Sequence, residues 1–146
     1  MSNLSQLLEE PKRSAVVAEL VTFVDDTVAK QSGIAGMALK GAVSAAKKVD
    51  ATIVTKGVTM LLPDILGELE SQWQEFEGSG ESDFGTFLEP RAEQVTESVM
   101  AIADRRANHI EVTALAKAYN SLRGKAAKII TQEIPDLARI LQKHLV

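Results

Sequence analysis

Apolar residues recur along almost the whole chain at the three-and-four spacing of a helix, not at the alternate positions of a strand. Asn3 to Glu9 predicts a short first helix. Pro11 then sits where proline suits a helix's first turn, and Val16, Val17, Leu20, Val24 and Val28 form one stripe with Phe23 beside it. Gln31-Ser32-Gly33 ends that stripe, with Ser32 placed to cap the next helix. From Asp50, a potential cap, Ile53, Val54, Gly57, Met60 and Leu61 share one side of a segment that Pro63 interrupts. The β-branched residues there make a strand the competing reading. Ile65, Leu66, Leu69, Trp73 and Phe76 follow as a clean stripe, with Asp64, Glu68 and Glu75 opposite. The stretch EGSGESD, Glu77 to Asp83, predicts a flexible loop, and Asp83 is placed to cap a short turn carrying Phe84, Phe87 and Leu88. A helix opening at Pro90 turns Val95, Val99 and Ile102 inward and ends near Arg105-Arg106 or Asn108. The last stripe runs from Val112 through Leu115, Tyr119, Leu122, Ala126 and Ile129. Continued without interruption it would carry Glu133 into its apolar face, so the pattern predicts a break before Pro135. A final helix from Asp136 buries Leu137, Ile140, Leu141 and Leu145. The expectation is an all-α fold, a single-domain bundle of six to eight helices over residues 1–146.

One stretch competes with that picture. SGIAGMALKGAVSAAKKV, Ser32 to Val49, combines Gly33, Gly36 and Gly41 with Lys40 and invites comparison with a phosphate-binding loop. The Walker pattern requires Gly-Lys-Ser/Thr after four intervening residues, but Ala42 stands where the lysine belongs. The dinucleotide fingerprint needs a Gly-x-Gly that is missing. Gly33-Ile34-Ala35-Gly36 matches the GXXG of KH domains only literally, without the strands that domain requires. Read as a helix, the stretch gathers Ile34, Ala35, Ala38, Leu39, Ala42, Ala45, Ala46 and Val49 on one face, with Gly33, Gly36, Lys40, Ser44 and Lys47 on the other. Glycine inside a helix costs about 1 kcal/mol relative to alanine, which a fold tolerates where a side chain would collide. The expectation is close packing against a neighbouring helix, with Gly41→Leu lowering thermal stability.

Composition narrows the class. The 146 residues are 45% hydrophobic and 25% charged, ordinary for a globular chain able to bury roughly 68–70% of its unfolded surface. The absence of cysteine excludes disulfides and thiolate metal sites and points to a cytoplasmic location. The N-terminus carries no apolar signal-like run, and the most apolar stretch, Val58 to Leu66, is too short to span a bilayer.

The net charge of −4 conceals a segregation. Residues 30–56 sum to +4, residues 57–104 to −10 and residues 105–128 to +5. The basic segments either neutralise the acidic one or leave a face for an anionic partner. Ordinary bundle surfaces carry mixed, solvated charge, which favours the first reading.

The most distinctive basic piece is AYNSLRGKAAK, Ala118 to Lys128. Helical projection gathers Lys117, Ser121, Gly124, Lys125 and Lys128 on one face, with Tyr119, Leu122 and Ala126 opposite and Arg123 on the flank. Ammonium and guanidinium donors around small residues suit phosphate oxygens. The candidate anion-binding residues are therefore Lys117, Arg123, Lys125 and Lys128, joined by Lys40 and Lys47. The competing reading is a solvated face with Arg123 paired to a glutamate. Arg106, in line with Val95, Val99 and Ile102, is expected to face its helix end or to pair with a carboxylate. His144 projects onto an apolar side and is expected to be packed there.

Other chemistry finds little support. Two distant histidines without cysteine make no zinc-type site. Glu93 and Glu97 lack the accompanying Glu-x-x-His of di-iron bundles. No nucleophile-elbow, Ser-x-x-Lys or kinase signature occurs, and no cofactor is expected. At 4% aromatic, with an acidic balance, the chain is poorly suited to nucleic acid.

Four pieces, AVVAELVTFVDDTVAKQSGIAG, LLPDILGELE, FGTFLEPRAEQV and AYNSLRGKAAK, resemble an uncharacterised family of small all-helical actinobacterial proteins, a domain of unknown function, over nearly the full chain. The resemblance implies a cytoplasmic, helical, single-domain protein and no activity, so no functional residue carries over from it. The leading expectation is a non-enzymatic protein acting through protein contacts, as a homodimer. The alternative is a module that binds a phosphate-bearing or other anionic ligand on its Lys/Arg face. A hydrolase built on paired carboxylates is a third reading, and it needs two acids facing each other in a pocket.

Overall fold

A computed structural model describes residues 2–145; Met1 and Val146 lie outside the described residues. A 3-10 turn at Leu4–Leu8 leads into α1 (Lys12–Ala29), α2 (Gly33–Val49), α3 (Ile53–Ser79), the short α4 (Phe84–Leu88), a second 3-10 turn at Glu89–Arg91, α5 (Ala92–Ala107) and α6 (Thr113–Leu145). The all-α expectation holds, and the strand reading of the segment before Pro63 does not. The expected count of six to eight helices is too high. Among the described residues five long helices carry the fold, and α4 is little more than one turn.

Two expected interruptions account for much of the difference. α3 runs through Pro63 and α6 runs through Pro135. A proline inside a helix forfeits a backbone hydrogen bond and crowds a carbonyl, at about 3 kcal/mol. Here each proline lies between buried apolar side chains, Leu62 and Leu66 in α3 and Ile134 and Ala138 in α6. Ending either rod at its proline would pull one half of its stripe from the core. Burial of Leu62 and Leu66 in α3, and of Ile134 and Leu141 in α6, is worth more than the lost bond.

The core gathers toward the end of the bundle where α3, α4, α5 and the C-terminal half of α6 meet. Leu4, Leu7, Leu66, Phe84, Leu88 and Leu141 are fully buried there. Phe84 meets Trp73 edge-on with ring centroids 4.9 Å apart, and Phe76 and Phe87 extend the cluster. The N-terminal turn is strapped onto α3: Leu4 N donates to Glu70 Oε1 at 3.2 Å and Trp73 Nε1 donates to the Ser2 carbonyl at 3.2 Å. Asp83 caps α4 as expected, accepting from the backbone amides of Gly85 and Thr86. The loop before it is shorter than expected, because α3 continues to Ser79 and ends at Gly80 in the left-handed region, φ 81°.

α2 departs from its expected packing. It is a helix and not an open glycine loop, but Ser32 makes no capping hydrogen bond, and the helix opens at Gly33 with φ 74°. Gly36 and Leu39 are its buried residues, whereas Ile34, Ala38, Gly41 and Ala45 face outward. The broad apolar face is thus split. Half of it turns to solvent, and Gly36, placed by projection on the polar side, is inside. A Cβ on Gly36 would stand 2.7 Å from the Gln31 carbonyl carbon, so its tightness belongs to the turn from α1 and not to a neighbouring helix. A Cβ on Gly41 meets nothing within 4 Å, which removes the expected loss of stability in Gly41→Leu. No described helix is long and apolar enough to cross a membrane.

Candidate functional site

The six basic candidates divide into two sets on two helices. α6 carries Lys117, Arg123, Lys125 and Lys128, and α2 carries Lys40 and Lys47. Arg123 is committed within the fold. Its Nε and Nη2 donate to the two oxygens of Asp104 at 2.7 and 2.6 Å, a bidentate clamp between α6 and α5. Tyr119 Oη donates to the same carboxylate at 2.6 Å. Arg123, and after it Tyr119, hold the Asp104 carboxyl down at about 2. Partial burial first, then the adjacent carboxylate, push the Tyr119 phenol up to about 12. The partner of Arg123 is therefore an aspartate of the acidic segment, not a glutamate.

Lys47 Nζ lies 3.0 Å from Asp25 Oδ1 and ties α2 to α1. Lys40 lines the same shallow groove between those helices with Val28 and Ser44. Lys40, Lys117, Lys125 and Lys128 are exposed, and no carboxylate lies within ion-pair distance of them among the described residues. Arg106 takes the carboxylate alternative at the surface, donating to Asp64 Oδ2 through Nε and Nη2 at 3.1 and 2.8 Å. His144 is half-buried, and its Nε2 lies 2.8 Å from Glu19 Oε1, so it is paired as well as packed.

The least satisfied surface is apolar. Ile34 is 89% exposed, Met37 73% and Val49 51%, all on the outward face of α2. Met60 of α3 and Val112, just before α6, are the other large exposed apolar residues among the described residues.

A second apolar feature is a half-open pocket between helices, floored by buried Leu20, Leu62, Ile134 and Leu141 and rimmed by half-buried side chains. A cavity of about 220 Å³ opens among α1, α3, α5 and α6, with walls of Leu20, Phe23, Leu62, Ile65 and Ile134 and almost no polar surface. Glu133 is on that wall. Its side chain is 13% exposed, and its Oε1 lies 2.6 Å from Nζ of Lys30, a side chain that is itself mostly exposed. The sequence pattern placed Glu133 on the apolar stripe, and the expected break before Pro135 was to have removed it. The helix instead continues, and Lys30, just past the end of α1, reaches across to meet the charge. The signal was present in the stripe, but nothing in the pattern named the partner.

The profile of a family described as a family of unknown function, DUF6918, matches residues 4–145. The chain belongs to the DUF6918 family. A search of curated proteins and a search of solved structures return no match. Membership of DUF6918 agrees with the resemblance read from the four sequence pieces and assigns no role to any residue.

Proposed function

We propose that this DUF6918 protein acts through protein contacts as a cytosolic homodimer, with the outward face of α2 as the seat of the second copy. The observation that carries the reading is the exposure of Ile34, Met37 and Val49 on a helix whose other outward positions are largely small. Gly41 is the midpoint of α2, seven residues after Ile34 and eight before Val49. Two antiparallel copies crossing at Gly41 therefore set Ile34 of each against the Val49 end of the other, the self-complementary arrangement a two-fold dimer requires. Ala38 and Ala45 flank the crossing and admit close approach. Lys48, also outward, lies near the helix end, where its stem can cover the apolar edge while its ammonium stays in water. The lack of cysteine supports the cytosolic placement. Light scattering at tens of micromolar is expected to give a dimer that Ile34→Lys with Met37→Lys converts to a monomer of unchanged helical circular dichroism, whose melting temperature no longer rises with protein concentration. Gly41→Leu is expected to weaken the pair and leave the fold intact. A strict monomer for the unaltered chain removes the reading.

The alternative is an anionic ligand on the lysine face. Its support is the exposure of Lys117, Lys125 and Lys128 without an acidic partner among the described residues. Arg123 contributes less, because Asp104 already holds it. Pyrophosphate that leaves the melting temperature unmoved removes this alternative.

A further inference from the structure

The cavity among α1, α3, α5 and α6 takes part in neither of those readings. Native interiors pack to crystal-like density, with few voids larger than a water molecule. An engineered apolar cavity of about 150 Å³ in another protein stays dry and binds benzene. The cavity here is larger, about 220 Å³, and its walls are hydrocarbon apart from Glu133.

Its surroundings specify the rest. Phe23 and Glu133 line both the cavity and an adjoining surface groove, so the two spaces meet at those side chains. The groove holds Glu19, Asp26, Glu133 and Asp136 against Lys30, Arg139 and Lys143. Its cations are engaged: Arg139 with Asp83 and Asp136, Lys143 with Glu19, and Lys30 with Glu133. Asp26 is exposed and forms no ion pair among the described residues. An anionic head group arriving here must draw Lys30 away and leave Glu133, whose side chain is mostly buried, without its cation beside hydrocarbon, which is strongly unfavourable. A cationic head exchanges one ammonium for another at Glu133, and Lys30, already mostly exposed, returns to water at little cost.

We propose that this cavity is a binding site for a small amphipathic amine. A hydrocarbon group of about benzene's size or somewhat larger occupies the apolar space, and an ammonium sits at Glu133 with Asp26 beside it. The site differs from the lysine face in the sign of charge it selects, and it is independent of the α2 dimer surface.

The test titrates hexylamine, hexan-1-ol and hexanoate into the full chain, followed by calorimetry and melting temperature. Hexylamine is expected to bind saturably and about tenfold or more tighter than hexanoate, with hexan-1-ol between them. Glu133→Gln is expected to erase the preference for the amine while hexan-1-ol still binds. Val58→Phe, which pushes a ring into the cavity from α3, is expected to abolish binding of both. The unaltered chain alone can overturn the proposal, whatever the variants' stability: no saturable binding of hexylamine, or hexanoate binding as tightly as hexylamine, sinks it. Amine binding that survives unchanged in folded Glu133→Gln and folded Val58→Phe places the ligand elsewhere and sinks it equally.

Discussion

A methyl group added at Gly85 would stand 2.6 Å from the Pro135 carbonyl oxygen and 2.7 Å from Arg139 Nε. No rotamer relieves a clash with backbone, so α4 or α6 must shift. Gly85→Ala is expected to destabilise the fold by about 1–3 kcal/mol, as overpacking does. Gly67 is also a helical glycine, but a Cβ there meets nothing within 4 Å. Gly67→Ala is expected to stabilise the chain by about 1 kcal/mol, the ordinary propensity gain. Denaturant midpoints of the two variants should move in opposite directions. In the sequence both are glycines beside apolar residues, and only the neighbouring helix separates them. The same holds for Glu133. Its position on an apolar stripe was readable, but the cation that neutralises it comes from a residue more than a hundred positions away.

At the scale of elements, the two prolines show how tertiary burial overrides a local stop signal. Pro63 is exposed, so its ring contributes little to the core that keeps α3 continuous. Pro63→Ala restores a backbone donor inside a continuous helix and is expected to raise stability by about 1 kcal/mol or more. A lowered denaturant midpoint would show that the ring itself packs. α2 teaches the converse lesson. Its helical character followed from spacing, yet which half of its apolar face turned inward did not. Alanines on both sides give no strong preference, and Leu39 and the turn at Gln31 fix the rotation.

At the scale of the whole molecule, aspartates tie α6 to the rest. Asp83 joins α4 to Arg139 and Asp104 joins α5 to Arg123. Hydrogen bonds from Thr86 and then Arg139 hold the Asp83 carboxyl at about 2, and Asp104 lies at about 2 as well. Both values are below the ordinary aspartate value of about 3.9. On acidification the unfolded chain therefore takes up these protons before the folded one does. The stability they supply is complete above about pH 4 and is lost as pH falls toward about 2. Stability measured by denaturant titration across that window is expected to fall, and Asp83→Asn with Asp104→Asn should flatten the slope. An unchanged slope in the double variant would assign the acid sensitivity to other carboxylates.

The helical class, the approximate extent of most helices, the α4 cap at Asp83 and the segregation of charge are all legible along the chain. Each of these depends on spacing along a few turns, which local geometry imposes. The tertiary structure decided the continuity of α3 and α6 through their prolines, the outward rotation of α2, the partners of Arg123, Lys47 and Glu133, and the cavity beside Glu133. Those depend on side chains brought together from distant positions, and the free energy that settles them comes from burial between helices, which no single stretch of chain contains.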